Sequence, residues 1–329
     1  PKTPKPRGFP FKIKFMKLIE RELTRYKQIG FGWALAGAAI AFAFFNLWHP
    51  FCKLLWPQYM RLADEFELEP YIHANLWISV MVQLCWWTST LILYFIYVGK
   101  YPLFEQWRSR QSEDEVWPWE SETKETWRKM LWRSVFLTQV NNLLFSPLFF
   151  IVVEYFKLYG PQPTSEESMP SAMVFAGQVI FCMLIEDVAF YFSHRFLHHP
   201  RVYATFHKIH HENKVNWILA SVHTHPFEYA IGNIYPMVLG PLLLWHRIHR
   251  ASAFGWYFVR IFESLESHCG YSFPFSPFRL LPFQLDANYH FFHHENNVGN
   301  YSTFFTWWDT IFGTNTEFYK SKEVKSKSE

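Results

Sequence analysis

Four cysteines, Cys52, Cys85, Cys182 and Cys269, are spread over 329 residues without a C-x-x-C pair. Their scatter excludes a disulfide framework and a cysteine zinc site, leaving four small apolar side chains in a reducing or lipid setting. A strong charge of either sign is also missing. The net charge of +3 is too small to mark a nucleic-acid surface, so no nucleic-acid partner is expected. No secretory pattern opens the chain, because its first lysines run into FKIKFMKLIERELTRY and not into a short apolar core with a cleavage site. Histidine, too, is scarce over most of the chain. Of 16 histidines, only His49 and His73 precede residue 194.

What is abundant is apolar and aromatic surface. With 36 Phe, 17 Tyr and 16 Trp, the chain has far more than one soluble core of this length needs. A membrane-spanning helix needs about 20 mostly apolar residues, and four stretches qualify: 29–48, 74–98, 131–156 and 171–193. The segment before the first stretch is basic, with Lys12, Lys14, Lys17, Arg21, Arg25 and Lys27 among its charges. The loop after it is acidic, with Asp64, Glu65, Glu67 and Glu69. Lysine and arginine stay on the non-translocated side, which places the amino end, the 99–130 loop and everything after 193 on the cytosolic or matrix face. The expected fold is therefore an all-α integral membrane protein of about four crossings with a helical cap. Its parts are a basic amphipathic segment (1–28), a helix bundle (29–193), a histidine-rich region (194–314) and a polar tail (315–329). Two further apolar runs, 229–245 and 251–263, flank the basic WHRIHR turn and read as a re-entrant or interfacial hairpin.

The remaining 14 histidines lie between 194 and 294 in a repeated spacing: HRFLHH (194–199), HKIHH (207–211) and HFFHH (290–294). On a helix, residues three and four apart share a face about 5 to 6 Å apart at Cβ, so each box is expected to present its imidazoles toward a common point. Buried without partners, so many imidazoles would be costly. Neutral imidazole is the commonest side-chain metal ligand, and three boxes supply too many donors for one first-row ion and enough for two. Cysteine-poor, nitrogen-rich ligation fits structural zinc poorly. His49, His73, His246 and His249 read as structural or solvated. The expected ligands are His194, His198 or its alternate His199, His207, His210, His211, His290, His293 and His294.

The text LIEDVAFYFSHRFLHHPRVYATFHKIHHE (184–212), HPFE (225–228), ESLESHCGY (263–271) and NYHFFHHENNVGNYSTFFTWWDTIFGT (288–314) resembles the fatty acid hydroxylase superfamily of membrane di-iron enzymes. Within it the chain is most similar to the sterol C4-methyl oxidases. This resemblance adds His225 and His268 as ligands. It implies two non-heme irons, O₂ as co-substrate, and a separate electron donor such as cytochrome b5 with its NAD(P)H reductase. The implied reaction is hydroxylation or desaturation of an unactivated C–H bond in a lipid, foremost a sterol. Second N–H groups of ligating imidazoles usually meet carboxylates, for which Asp187 is the first candidate and Glu228, Asp309, Glu212 and Glu266 are weaker ones; Glu186, beside Asp187 near a span, would otherwise be costly. Trp217, Ile218, His223, Phe227 and Phe291 are expected to line the substrate slot. Ala220, Val222 and Phe291 stand where the sterol branch carries acidic residues, which leaves the oxidised carbon open. A fatty acid or sphingolipid hydroxylase is an alternative. Another is a structural subunit of a larger membrane complex, for which a basic start without an initiator Met would suit the mitochondrial inner membrane. Lys325 and Lys327 match an endoplasmic-reticulum retrieval pattern.

Overall fold

The computed structural model describes residues 10–66, 70–110, 112, 114–156, 162–284 and 286–328. Among them there are helices and two isolated β-bridges but no β-strand. The main helices are α1 (Pro10–Ile29), α2 (Phe31–Glu65), α3 (Pro70–Gly99), α4 (Lys124–Val140), α5 (Ser146–Tyr155) and α6 (Ala172–Leu197). They are followed by α7 (Tyr235–Leu244), α8 (Arg250–His268), α9 (Ala287–Asn296), α10 (Trp307–Phe312) and α11 (Thr316–Ser328). Residues 1–9, Glu67, Leu68 and Glu69 lie outside the described residues, as do the side chains of His73, Lys325 and Lys327.

Four helical stretches are long and apolar enough to cross a bilayer: Phe31–Leu62, Leu76–Gly99, Lys124–Val153 and Ala172–Leu197. They coincide with the four expected from the sequence and mark an integral membrane protein. Large apolar side chains along them, such as Leu35, Phe42, Leu47, Leu84, Leu91 and Phe136, remain exposed, as lipid-facing residues do. The third stretch starts earlier than its apolar run because Thr123 caps it, accepting from the Thr126 amide at 3.2 Å.

Two segments of π-helix interrupt the bundle, Asn141–Phe145 between α4 and α5 and Tyr229–Ile234 before α7. They are tied together: the Tyr229 hydroxyl donates to Asn142 Oδ1 at 2.8 Å, and Asn141 Nδ2 donates to the Thr224 carbonyl at 2.9 Å. Such bulges re-aim side chains and recur at functional sites.

The 229–263 region folds as a helical hairpin against α6. A Cβ on Gly240 would lie 2.7 Å from the Cα of Cys182, so glycine is what lets α7 and α6 touch. At the hairpin's tip Gln178 Nε2, near the start of α6, donates to the Arg247 carbonyl at 2.8 Å. The hairpin thus runs beside most of α6. Helix α8 continues past the apolar run to His268, returning the chain to the end where α6 finishes.

Candidate metal centre

Three short structures bring the boxes together. The end of α6 supplies His194 and, as its C-cap residue, His198; a run of 3₁₀ turns (His207–Glu212) supplies the second box; α9 supplies the third. Nine imidazoles form two groups in which one atom from each lies within 4.8 Å of the others: His194, His198, His207, His211 and His293, then His210, His268, His290 and His294. Eight of the nine are buried and His198 is partly so.

Each box was expected to point at one place, and two of the three do not. His210 separates from His207 and His211, and His293 separates from His290 and His294. Helical geometry explains the third box: residues four apart are about 40° apart around the axis, whereas adjacent residues are about 100° apart. The adjacent pairs His210/His211 and His293/His294 therefore divide between the groups and stitch them together. His211 and His294 stack with ring centroids 4.8 Å apart.

The outer ring nitrogens reveal the tautomers. His194 Nδ1 is 2.9 Å from the Tyr301 carbonyl, His293 Nδ1 2.5 Å from the Gly299 carbonyl, and His268 Nδ1 2.8 Å from the Ser264 carbonyl. His207 Nδ1 is 2.8 Å from the Glu228 carboxylate. A carbonyl oxygen only accepts, so His194, His293 and His268 carry the proton on Nδ1 and turn the Nε2 lone pair inward, and an ionised Glu228 holds His207 the same way. There the lone pairs crowd. His207 Nε2 lies 2.9 Å from His198 Nε2 and 3.1 Å from His211 Nε2; in the second group His290 Nε2 lies 2.9 Å from His268 Nε2 and 3.1 Å from His294 Nε2. The buried Nε2 of His194 has no hydrogen-bond partner. Too few protons are available to bridge this many acceptors, whereas a cation at the centre of each group would satisfy them all.

Burial and the neighbouring rings hold these imidazoles neutral. His207, His210, His290, His293 and His294 are pushed far below the usual histidine range, and burial lowers His211 to about 3 and His268 to about 4. Neutral rings are what a metal ion requires.

Several expected residues are placed elsewhere. His199 is exposed and caps the Pro200–Tyr203 turn, its Nδ1 accepting from the Arg201 amide. His225 does the same for Pro226–Glu228, accepting from the Phe227 amide at 3.1 Å. In both cases the following proline starts a helical turn and leaves the histidine at the cap, outside the two groups. Asp187 was expected to orient an imidazole but faces the chain after the third box. It accepts from the Phe304 and Phe305 amides at 3.0 Å and from Trp307 Nε1 at 2.8 Å. Asp309 likewise accepts from the Tyr301 and Ser302 amides. These two carboxylates hold the 301–307 loop, whose Tyr301 carbonyl then orients His194. Glu212 pairs with Arg133 and with His223, and Glu266 accepts from Ser276.

The expected slot residues do not line the cavity at the histidines. Trp217 and Ile218 are buried in an aromatic cluster with Trp117 and Tyr97, and His223 is tied to Ser134 at 2.8 Å and to Glu212 at 3.1 Å. Phe227 packs on Phe206, and Phe291 faces away toward Phe318 and Arg110. Instead a cavity opens onto His194, His207, His210, His268 and His290. A second lies beside it between α3, the π segments and α8, lined by Ile78, Val82, Trp86, Ile234, Met237 and Tyr257. Ser221, Asn233, Arg260 and Ser264 line both. Arg260 was missed in the sequence. An arginine in the middle of the apolar run 251–263, matched by Glu186 within the fourth apolar stretch, is the signal that marked it.

The site defines a helical membrane protein with a poly-histidine centre. The fatty acid hydroxylase family profile matches residues 179–314. Methylsterol monooxygenase 1 of Gallus gallus is 38% identical over 206 residues, 62% of this chain and 68% of that protein. Methylsterol monooxygenase 1 of Danio rerio is 30% identical over 260 residues, 77% and 86% respectively. A very-long-chain aldehyde decarbonylase of Oryza sativa subsp. indica is 34% identical over 184 residues, 55% of this chain and 67% of that protein. No solved structure matches. The chain belongs to the fatty acid hydroxylase family.

Proposed function

We propose that this protein is a membrane monooxygenase that uses a histidine-ligated di-iron centre and O₂ to oxidise a C–H bond of a sterol. The observation that carries the reading is the pair of groups of inward-facing Nε2 atoms, five and four in number. Nine nitrogens are right for two ions and too many for one. His194, His198, His207, His211 and His293 hold one iron; His210, His268, His290 and His294 hold the other. When bound, the irons supply the activation of O₂, with electrons from a separate donor of the cytochrome b5 and reductase kind. The protein's own groups do the rest. Glu228 and the Tyr301, Gly299 and Ser264 carbonyls lock ring orientation. The apolar cavity receives the lipid from the bilayer side and keeps water from the reacting carbon. The sterol assignment rests on the methylsterol monooxygenase relatives.

The test is turnover of a methylsterol by the purified protein with ¹⁸O₂ and an electron-donor system. One labelled oxygen in the sterol product is expected. A protein that binds two irons yet labels only fatty acids or sphingolipids would move the substrate out of the sterol class. A protein that turns over neither, and purifies with stoichiometric partners, would support a structural subunit.

A further inference from the structure

The junction between the two cavities carries a charge cluster that metal holding does not use. Arg260 is only 5% exposed, Glu186 0% and Glu263 6%. The Arg260 Nε donates to Glu186 and its Nη1 donates to Glu263 Oε2 at 2.9 Å, with Thr303 Oγ1 donating to the same Glu263 oxygen at 3.1 Å. Such an ion cluster is a poor way to gain stability, because desolvating three charges offsets most of their attraction. It is also incomplete. Among the described residues Arg260 Nη2 makes no hydrogen bond, and the buried Glu186 Oε2 has no partner. The same arginine lines both the histidine cavity and the apolar one. A guanidinium with free N–H groups, fixed by two carboxylates at the mouth of an apolar chamber, is a donor held ready for an oxygen atom.

We propose that Arg260 is a positioning residue that binds an oxygen substituent, a hydroxyl or carboxylate, at one end of the lipid substrate. The oxygen sits on Nη2, the hydrocarbon lies along Ile78, Trp86 and Met237, and the carbons next to the oxygen-bearing one face the histidines. An oxygenated lipid is thereby selected over a hydrocarbon or an ether-capped lipid of the same shape. A site built to pair a polar group rejects the analogue that lacks its hydrogen. This inference deepens the sterol reading and rests on it for the skeleton, while the oxygen contact is independent of the skeleton.

The experiment is equilibrium binding by native mass spectrometry of the protein in nanodiscs, without turnover. Two pairs of probes are titrated: a methylsterol and its methyl ether, and a long-chain alcohol and its methyl ether. The wild-type protein is expected to prefer a free alcohol over its ether about 10- to 100-fold, the worth of one hydrogen bond to a charged group. Arg260→Met is expected to bring that ratio to about one, whereas a merely structural role would weaken both members of a pair alike. Arg260→Lys keeps the charge facing Glu186 and Glu263, and is expected to fold and to lower the ratio; if the methionine variant does not fold, this ratio decides. No preference for either alcohol in the wild type, or a wild-type ratio retained in the variants, overturns the proposal. A preference seen with the long-chain alcohol and no sterol binding would overturn the sterol reading and leave the Arg260 contact standing.

Discussion

The two ends of helix α6 treat buried histidine in opposite ways. Near its start lies His249, only 3% exposed, with both nitrogens answered by the protein: Nδ1 accepts from the Ala251 amide at 3.0 Å and Nε2 donates to the Ser165 carbonyl at 3.2 Å. It caps α8 and packs against Trp56 at 5.2 Å between centroids. At the other end nine imidazoles crowd together with Nε2 atoms about 3 Å apart and no protein group between them; four of them, His194, His207, His268 and His293, are held on the outside through Nδ1, while the buried Nδ1 atoms of His210, His211 and His294 have no protein partner. Burial alone does not separate a structural histidine from a ligand. What separates them is whether the protein supplies the second partner or withholds it.

The largest effect that tests this contrast is loss of an inward-facing ring. His207→Ala is expected to lower metal content and to cut activity more than about 100-fold, beyond the 10- to 100-fold range seen when an outer partner is lost. Retention of both metal ions in that variant, measured on purified protein, would break the contrast. Next comes the outer partner itself. Glu228→Gln keeps an acceptor near His207 Nδ1 but removes its charge, so activity or metal affinity is expected to fall about 10- to 100-fold with little change in folding.

A smaller effect is expected at the other end. Burial lowers His249 to about 4, while an unfolded chain titrates near 6.5. Between those values the unfolded state binds the extra proton, so the stability this group contributes is complete above about pH 6.5 and is lost as pH falls toward 4. His249→Gln is expected to flatten that part of the acid denaturation profile and to leave metal content unchanged. The smallest effect belongs to His199, an exposed cap. His199→Asn replaces one capping side chain by a better one, and metal content, activity and melting temperature are all expected to stay as in the wild type. Loss of metal in His199→Asn would return that residue to the centre and exclude the placement of His198.

The bundle was legible in the sequence because a spanning helix writes itself as one long apolar run, and all four runs are helices of that kind. The boxes were legible because fourteen histidines crowd one stretch. What periodicity could not convey was that HKIHH folds as 3₁₀ turns and divides between two groups as HFFHH does, since which group each histidine joins depends on how short 3₁₀ and α-helical pieces are rotated against one another. Nor could it show that His199 and His225 precede prolines as caps, each bonding its own backbone two residues on. Asp187 illustrates the same limit: seven residues before His194 it shares a helix face, yet its oxygens turn to the Phe304 and Phe305 amides of a loop more than a hundred residues later. The residues expected to line a slot lie away from the cavity for a related reason. Aromatic residues beside the boxes fill the packed cap, while the cavity is walled by α3, α7 and the π segments, which are distant in sequence.

The central claim is that two groups of inward-facing nitrogens hold two irons, and metal analysis tests it most directly. Inductively coupled plasma mass spectrometry on natively purified protein is predicted to give two irons per chain. One metal per chain, or zinc in place of iron, would contradict it.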